Sequence, residues 1–372
     1  MNATLIQGFA TTEGTARFRN RFAARLPGHY REIQRLSLSS IGLGTYLGDP
    51  TQEVDDRYTE TVILAAPKGI NVFDTAANYR HMHSERALGR GVAKLISSGI
   101  VQRDEIILAS KGGFFSYDDR VPQDPSTYFH ERLVQTGLVQ PEEIVAGCHT
   151  MSPRYLANQI DVSRANLGIE TIDIYYLHNP ETQLREVSCE EFLRRLRLAF
   201  AALEQAIADG KIRMYGTATW NGYRVSADSQ EAISLEEMLG AAKEIGGKEH
   251  HFGAIQLPFN IAMPEALTAN TQRANGRTVP LLHVAREHGL MVFASASLLQ
   301  SRLVQGLPEE FQQWIPGFNT DAQRAIQFVR STPGITCALV GMSRREHLEE
   351  NLATARVPPL TLAEYRKMFQ KR

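Results

Sequence analysis

Eight short runs of apolar residues, rich in β-branched and aromatic side chains, recur along the chain, each followed by a stretch with helical spacing. They are 41–47 (IGLGTYL), 71–76 (NVFDTA), 105–112 (EIILASKG), 171–178 (TIDIYYLH), 212–219 (IRMYGTAT), 252–259 (FGAIQLPF), 291–297 (MVFASAS) and 335–341 (ITCALVG). Most are apolar without interruption, so neither face is suited to water. That is the mark of parallel strands covered on both sides. Between them, Ser84 reads as the N-cap of SERALGRGVAKLISSG, Pro153 sits in the first turn of the next helical stretch, and Gly69 and Gly210 close two others. Eight βα units in one chain of 372 residues predict an α/β fold, a (β/α)8 TIM barrel and not an open, doubly wound sheet. The first run is not followed by a G-x-G-x-x-G turn, which argues against a Rossmann-type dinucleotide site.

The barrel is expected to occupy 36–372, with 1–35 as a separate N-terminal arm. The arm carries Arg17, Arg19, Arg21, Arg25 and Arg31 with few acids, and is expected to pack on the barrel and not to serve as a targeting signal. Two stretches exceed a simple barrel. Residues 114–149 follow the strand bearing Lys111 and should leave the C-terminal face, where long loops enclose substrates. Residues 303–319 carry Phe311, Trp314, Pro316 and Phe318 and are expected to add aromatic wall to the same mouth. A net charge of −1 provides no basic field for nucleic acid or an anionic membrane. No apolar run approaches the roughly 20 residues of a membrane span. Cys148, Cys189 and Cys337 are odd in number and far apart, as expected of free thiols in a reducing, cytoplasmic setting. The pairs His81/His83 and His250/His251 lack a third ligand at motif spacing, so no metal is expected.

Four polar residues stand where strands should meet loops: Asp74, Tyr79 five residues later, Lys111 and His178. At the ends of successive barrel strands they can converge on one point. A phenol with an ordinary pKa of about 10 is protonated at neutral pH and can donate to a carbonyl oxygen. An ammonium beside it lowers the cost of the phenolate left behind, a carboxylate holds the ammonium, and an imidazole orients the carbonyl.

From about residue 36 onward the chain resembles an aldo-keto reductase. The resemblance rests on IGLGTYLG at the first strand, on Asp74–Tyr79 with SERALG at 84–89, on Ser110–Gly113, and on Asp173–His178. It implies a tetrad of Asp74, Tyr79, Lys111 and His178, and a nicotinamide cofactor lying extended across the C-terminal mouth. Thr45, Thr219 and Gln256 would contact the nicotinamide end, and Ser297, Leu298 and Arg302 the pyrophosphate. Gly341, Ser343, Arg344, Arg345, Glu350 and Asn351 would form the adenosine pocket, with the hydroxyl and guanidinium groups favouring NADP(H) over NAD(H). Tyr46, His81 and Trp220 would touch the substrate. The chain departs from the family pattern in three places. Ala218 and Thr219 stand where a Ser-Asn pair is usual, Gly341 replaces a lysine, and Ser295 replaces the aromatic that stacks on the nicotinamide. This last change leaves either Trp220 as the stacking partner or a looser face. The function implied is NADP(H)-dependent interconversion of a carbonyl and an alcohol. The alternatives are a cofactor-binding regulatory subunit of the same fold and a scaffold for a non-redox step. Substrate, oligomeric state and direction are not legible.

Overall fold

The computed structural model describes residues 4–274 and 276–369. The strands are β1 (Ile41–Gly44), β2 (Val72–Asp74), β3 (Ile107–Gly112), β4 (Ile172–His178), β5 (Ile212–Ala218), β6 (Phe252–Pro258), β7 (Met291–Ser295) and β8 (Cys337–Gly341). They pair in parallel, each with its successor, and β8 closes on β1. Each lies within one of the eight apolar runs. Eight helices cover the outside: α2 (Gln52–Ala65), α3 (His83–Ser97), α4 (Pro153–Leu167), α5 (Cys189–Ala208), α6 (Leu235–Gly246), α7 (Leu281–Glu287), α8 (Asp321–Ser331) and α9 (Arg345–Ala353). The fold is a (β/α)8 barrel.

Alternation along the strands sorts the core into two parts. Val72, Ile107, Ala109, Ile174, Tyr176, Phe293 and Leu339 fill the barrel interior. Their neighbours Phe73, Leu108, Tyr175, Leu177 and Ile255 join the larger cluster between sheet and helices. Gly216 is required where β5 meets β6, because a Cβ there would lie 1.7 Å from the Ala254 carbonyl oxygen.

The N-terminal arm covers the end opposite the mouth. Helix α1 (Thr12–Phe22) is capped by Thr11, whose side chain accepts from Gly14 N at 2.9 Å. It buries Phe18 and Phe22 in the main core, worth about 2–3 kcal/mol for each ring. Arg17 and Arg21 pair with Asp104 and Glu105. An antiparallel hairpin joins Tyr30–Ile33 to Leu36–Ser39 and so spans residue 35. Its turn residues Gln34 and Arg35 are both left-handed, and the Gln34 amide donates to the Gly253 and Gly289 carbonyls at 2.8 and 3.0 Å.

Two sequence expectations are corrected here, on Ser84 and on residues 303–319. Ser84 is not a cap: α3 begins at His83, and the buried Ser84 hydroxyl donates to the Thr45 carbonyl at 2.7 Å. The 114–149 segment does leave the C-terminal face, where Phe114 joins the wall of the mouth, and its Phe115, Leu133 and Val139 pack with Tyr155 of α4 in a small separate cluster. The 303–319 segment contributes nothing to that wall; Ile315 and Phe318 join the main core, with Phe311 and Trp314 packed against it. No helix among the described residues is long and apolar enough to cross a membrane.

Candidate active site

Strand register sets up the site. Asp74 ends β2 opposite Gly44 of β1, and Gly44 is opposite Gly341 of β8. Lys111 on β3 faces Tyr176, and His178 at the tip of β4 pairs with Ala218, which pairs with Gln256. These positions ring the C-terminal end of the barrel. They surround a cavity of about 330 Å³ lined by Asp74, Tyr79, His178, Thr219, Gln256 and their neighbours.

Lys111 is wholly buried behind that wall. Its ammonium donates to Asp74 Oδ1 at 2.6 Å and to the Thr75 carbonyl at 2.8 Å, and lies 4.7 Å from the centre of the Tyr79 ring. The second Asp74 oxygen accepts from Gln256 Nε2 at 2.7 Å. Burial pulls the lysine down, but the Asp74 carboxylate and the Tyr79 phenol outweigh it, so Lys111 is held above its ordinary value and stays charged. Burial lifts Tyr79 above the ordinary phenol, more than the Lys111 ammonium lowers it. The phenol is therefore protonated at neutral pH. The Tyr79 ring meets His178 edge-on at 5.9 Å and Tyr46 at 5.0 Å. Burial, the Lys111 charge and His149 hold His178 well below the usual imidazole range, so it is neutral.

The chain after Tyr79 makes an unusual turn. Arg80, His81 and Met82 are all left-handed, with φ of 51°, 54° and 69°. None is glycine, and such backbone costs of order 1 kcal/mol or more per residue unless its surroundings fix it. Here they do. The buried Arg80 guanidinium pairs with Asp55 on α2, and His83 Nδ1 meets the other Asp55 oxygen at 2.7 Å. His83 Nε2 reaches the Asp119 carbonyl at 3.0 Å, tying the 114–149 segment to the same turn.

A second histidine backs the first. His149 is fully buried, and its Nε2 lies 2.8 Å from the His178 carbonyl oxygen. Its Nδ1 is 2.9 Å from Gln183 Nε2, while Gln183 Oε1 accepts from Arg195 at 2.8 Å. An amide NH2 only donates, so His149 Nδ1 accepts and Nε2 carries the proton. Burial lowers His149 to about 4. Gly113 lies against it: φ there is +133°, and a Cβ would sit 2.9 Å from His149 Nε2.

A sequence model described as the aldo/keto reductase family matches residues 40–237, just over half of the chain. The chain belongs to the aldo/keto reductase family. A protein of Schizosaccharomyces pombe named as a putative voltage-gated potassium channel subunit beta is 26% identical over 191 residues, 51% of this chain and 44% of that one. The NADH-specific methylglyoxal reductase of Escherichia coli is 28% identical over 188 residues, 49% of each chain. The chain thus spans about half the length of the curated relatives it matches. An aldo/keto reductase from Klebsiella pneumoniae, solved with NADP and acetate, superposes with a TM-score of 0.60 at 20% identity, covering 92% of this chain and 95% of that one. A holo aldo-keto reductase from Bacillus halodurans gives 0.60 at 19%, covering 91% and 95%. At this identity the shared feature is the fold.

Within this family fold, the remaining residues separate into those on the cavity wall and those away from it. Thr45, Thr219, Gln256, Ser297, Leu298 and Gly341 line it, as do Tyr46 and Trp220. Arg302, Ser343, Arg344, Arg345, Glu350 and Asn351 lie outside it. Arg344 and Arg345 are exposed at the start of α9, where Arg345 pairs with Glu349 at 3.2 Å. Asn351 is buried, and the Glu350 carbonyl accepts from Gln323. His81 does not line the mouth: its ring packs on Tyr117 at 5.4 Å, because the left-handed turn swings it toward the 114–149 segment. Asp173, part of the family-like string, lies at the opposite end of β4, where it accepts from Ala10 N, Leu108 N and Arg103. Sequence reasoning missed Asp55 and His149; of these only His149 carried a signal, as an unexplained histidine before Pro153. Among the described residues no group of three or more His, Cys, Asp or Glu is placed to hold a metal.

Proposed function

We propose that this chain is an NADP(H)-dependent oxidoreductase that interconverts an aldehyde or ketone and its alcohol, with Tyr79 as the general acid and base. The observation that carries this reading is the buried Asp74–Lys111 pair set against the face of a protonated Tyr79 beside a neutral His178. These groups suit a carbonyl oxygen that gains negative charge and then a proton. His178 would orient the oxygen by hydrogen bonding, and Tyr79 would deliver the proton. The Lys111 ammonium would offset the charge left on the phenolate, and Asp74 with Thr75 would keep that ammonium in place.

The cavity suits the nicotinamide end of a dinucleotide, which when bound supplies the hydride. Thr219 lines the wall with a buried hydroxyl that has no hydrogen-bond partner, as a carboxamide contact requires. Gly44 and Gly341 line the same wall; a Cβ on Gly44 would meet nothing nearer than 3.9 Å, so the open space there is kept by the lack of a side chain. Gln256 would support the carboxamide end less freely than its sequence position implies, because one amide hydrogen is committed to Asp74. Ser297, Leu298 and Arg302 would serve the pyrophosphate. Ser343, Arg344, Arg345, Glu350 and Asn351 would receive the adenosine, with the exposed guanidiniums favouring a 2′-phosphate. The likeness to an NADH-specific methylglyoxal reductase keeps NAD(H) as the competing cofactor.

The test is steady-state turnover with NADPH and NADH against aldehydes, ketones and sugars, with Tyr79→Phe as the control. Turnover lost in the variant while dinucleotide binding persists supports the reading; full activity of Tyr79→Phe on every accepted carbonyl overturns it. A second reading, a cofactor-binding subunit with little turnover, is supported by the likeness to the named channel subunit. Saturable dinucleotide binding with negligible turnover on the whole panel would select it.

A further inference from the structure

Glu181 has no part in the chemistry above, yet it is buried three residues beyond His178. Its Oε1 accepts from three successive backbone amides, Trp220 at 2.7 Å, Asn221 at 3.0 Å and Gly222 at 3.3 Å. Its Oε2 is buried with no partner, and among the described residues no cation pairs with it. A buried carboxylate without a counter-ion is costly, and converging N–H groups are what offset that cost. The loop it grips is fixed on other sides too. The Asn221 amide donates to Glu231 at 2.7 Å, Arg224 donates to the Trp220 carbonyl at 3.0 Å, and a Cβ on Gly222 would lie 2.8 Å from Ile233.

This tightly held backbone carries a side chain left half in solvent. Trp220 is 42% exposed and lines the cavity, as does Tyr46 at 54%. Both rings stand on the wall of the mouth, where a bound ligand would cover them. Among the described residues lining the cavity none is Lys or Arg, so nothing there pairs with a substrate carboxylate or phosphate. We propose that Glu181 is a positioning residue that clamps the Trp220–Gly222 backbone so that the indole stands as a platform at the mouth, selecting carbonyl substrates with a flat, uncharged face. The proposal rests on the reductase reading for its kinetic part only.

Trp314 is the other tryptophan of the chain, so a Trp314→Phe background makes Trp220 the sole indole reporter. In that background Glu181→Ala should raise acrylamide quenching of Trp220 about twofold. It should raise KM for 4-nitrobenzaldehyde about fivefold, the size of one aromatic contact, and leave kcat and the KM for propionaldehyde within a factor of about two. Glu181→Gln, which keeps an acceptor oxygen, should restore both toward the parent. The parent should use 4-nitrobenzaldehyde about tenfold better than 4-carboxybenzaldehyde, because the carboxylate finds no cation. Unchanged quenching, an equal KM rise for both uncharged aldehydes, or equal use of the carboxylated substrate overturns the proposal. Should Glu181→Ala not fold, Glu181→Asp, whose carboxylate is one methylene short of the amides, takes its place with the same outcomes. If the parent reduces no aldehyde, the reductase reading fails, while the quenching series still decides whether Glu181 holds Trp220.

Discussion

Lys111 at the strand tips and Arg345 at the start of α9 are both cations, and they are held in opposite ways. Lys111 is wholly buried, with an Asp74 oxygen at 2.6 Å, a carbonyl at 2.8 Å and an aromatic face at 4.7 Å. Arg345 is in solvent at the start of a helix, with one loose partner on its own helix at 3.2 Å. The first arrangement is finished before any ligand arrives. The second has only Glu349 beside it and faces solvent. The barrel therefore holds a fixed, buried charge cluster at the strand tips and leaves its charges exposed at the rim.

This contrast can be broken or sharpened by substitution. The largest effect is expected for Tyr79→Phe, with kcat falling about 10³-fold and the dinucleotide Kd staying within about twofold, read by stopped-flow and fluorescence titration. Lys111→Met comes next. It leaves Asp74 buried without its cation, and should cost about 3–5 kcal/mol in urea unfolding as well as most turnover. If Lys111→Met is as stable as the parent, the strand-tip end is no more preorganised than the rim. His149→Phe should lower kcat about tenfold by loosening His178, without changing dinucleotide affinity.

The same variant tests a pH dependence. Burial lowers His29 to about 3 and His149 to about 4 in the folded chain. The unfolded chain takes up those protons near pH 6.5, so between about pH 6.5 and 4 it binds more protons than the folded one. Stability should then be full above pH 6.5 and fall on acidification, by about 1.4 kcal/mol per pH unit for each such histidine. Melting temperatures from pH 7 to 5 should drop for the parent and less steeply for His149→Phe. The smallest effect belongs to the rim: Arg345→Ala should weaken NADPH about fivefold and leave NADH unchanged, measured by calorimetry.

The barrel was legible because its strands are buried on both faces and so appear as unbroken apolar runs. Their order, number and parallel pairing follow from that pattern. Boundaries were less so: the first run continues to 47, while pairing stops at Gly44, where the cavity opens. Asp74, Tyr79, Lys111 and His178 stood out because each is polar at the end of an apolar run. Asp55, Gln183 and Glu181 carry no such mark. Each acts on a residue 25 or more positions away, and that partnership exists only once the helices dock. The left-handed Arg80–Met82 turn was also hidden, since no glycine or asparagine announces it. The hairpin pairing Gln272–Ala274 with Arg277–Val279 did have a signal, the Asn275-Gly276 dipeptide between alternating residues.

Asp173 and His178 belong to a single family-like string, but five residues of extended chain, roughly 17 Å, separate the anchor at one end of β4 from the cavity wall at the other. The carboxylate anchors the backbone of Ala10 and the side chain of Arg103. A chain that kept the histidine and lost the aspartate would keep its cavity wall while its amino-terminal segment came adrift. Tags or truncations before residue 10 would be felt at the base of the molecule and not at the cavity wall.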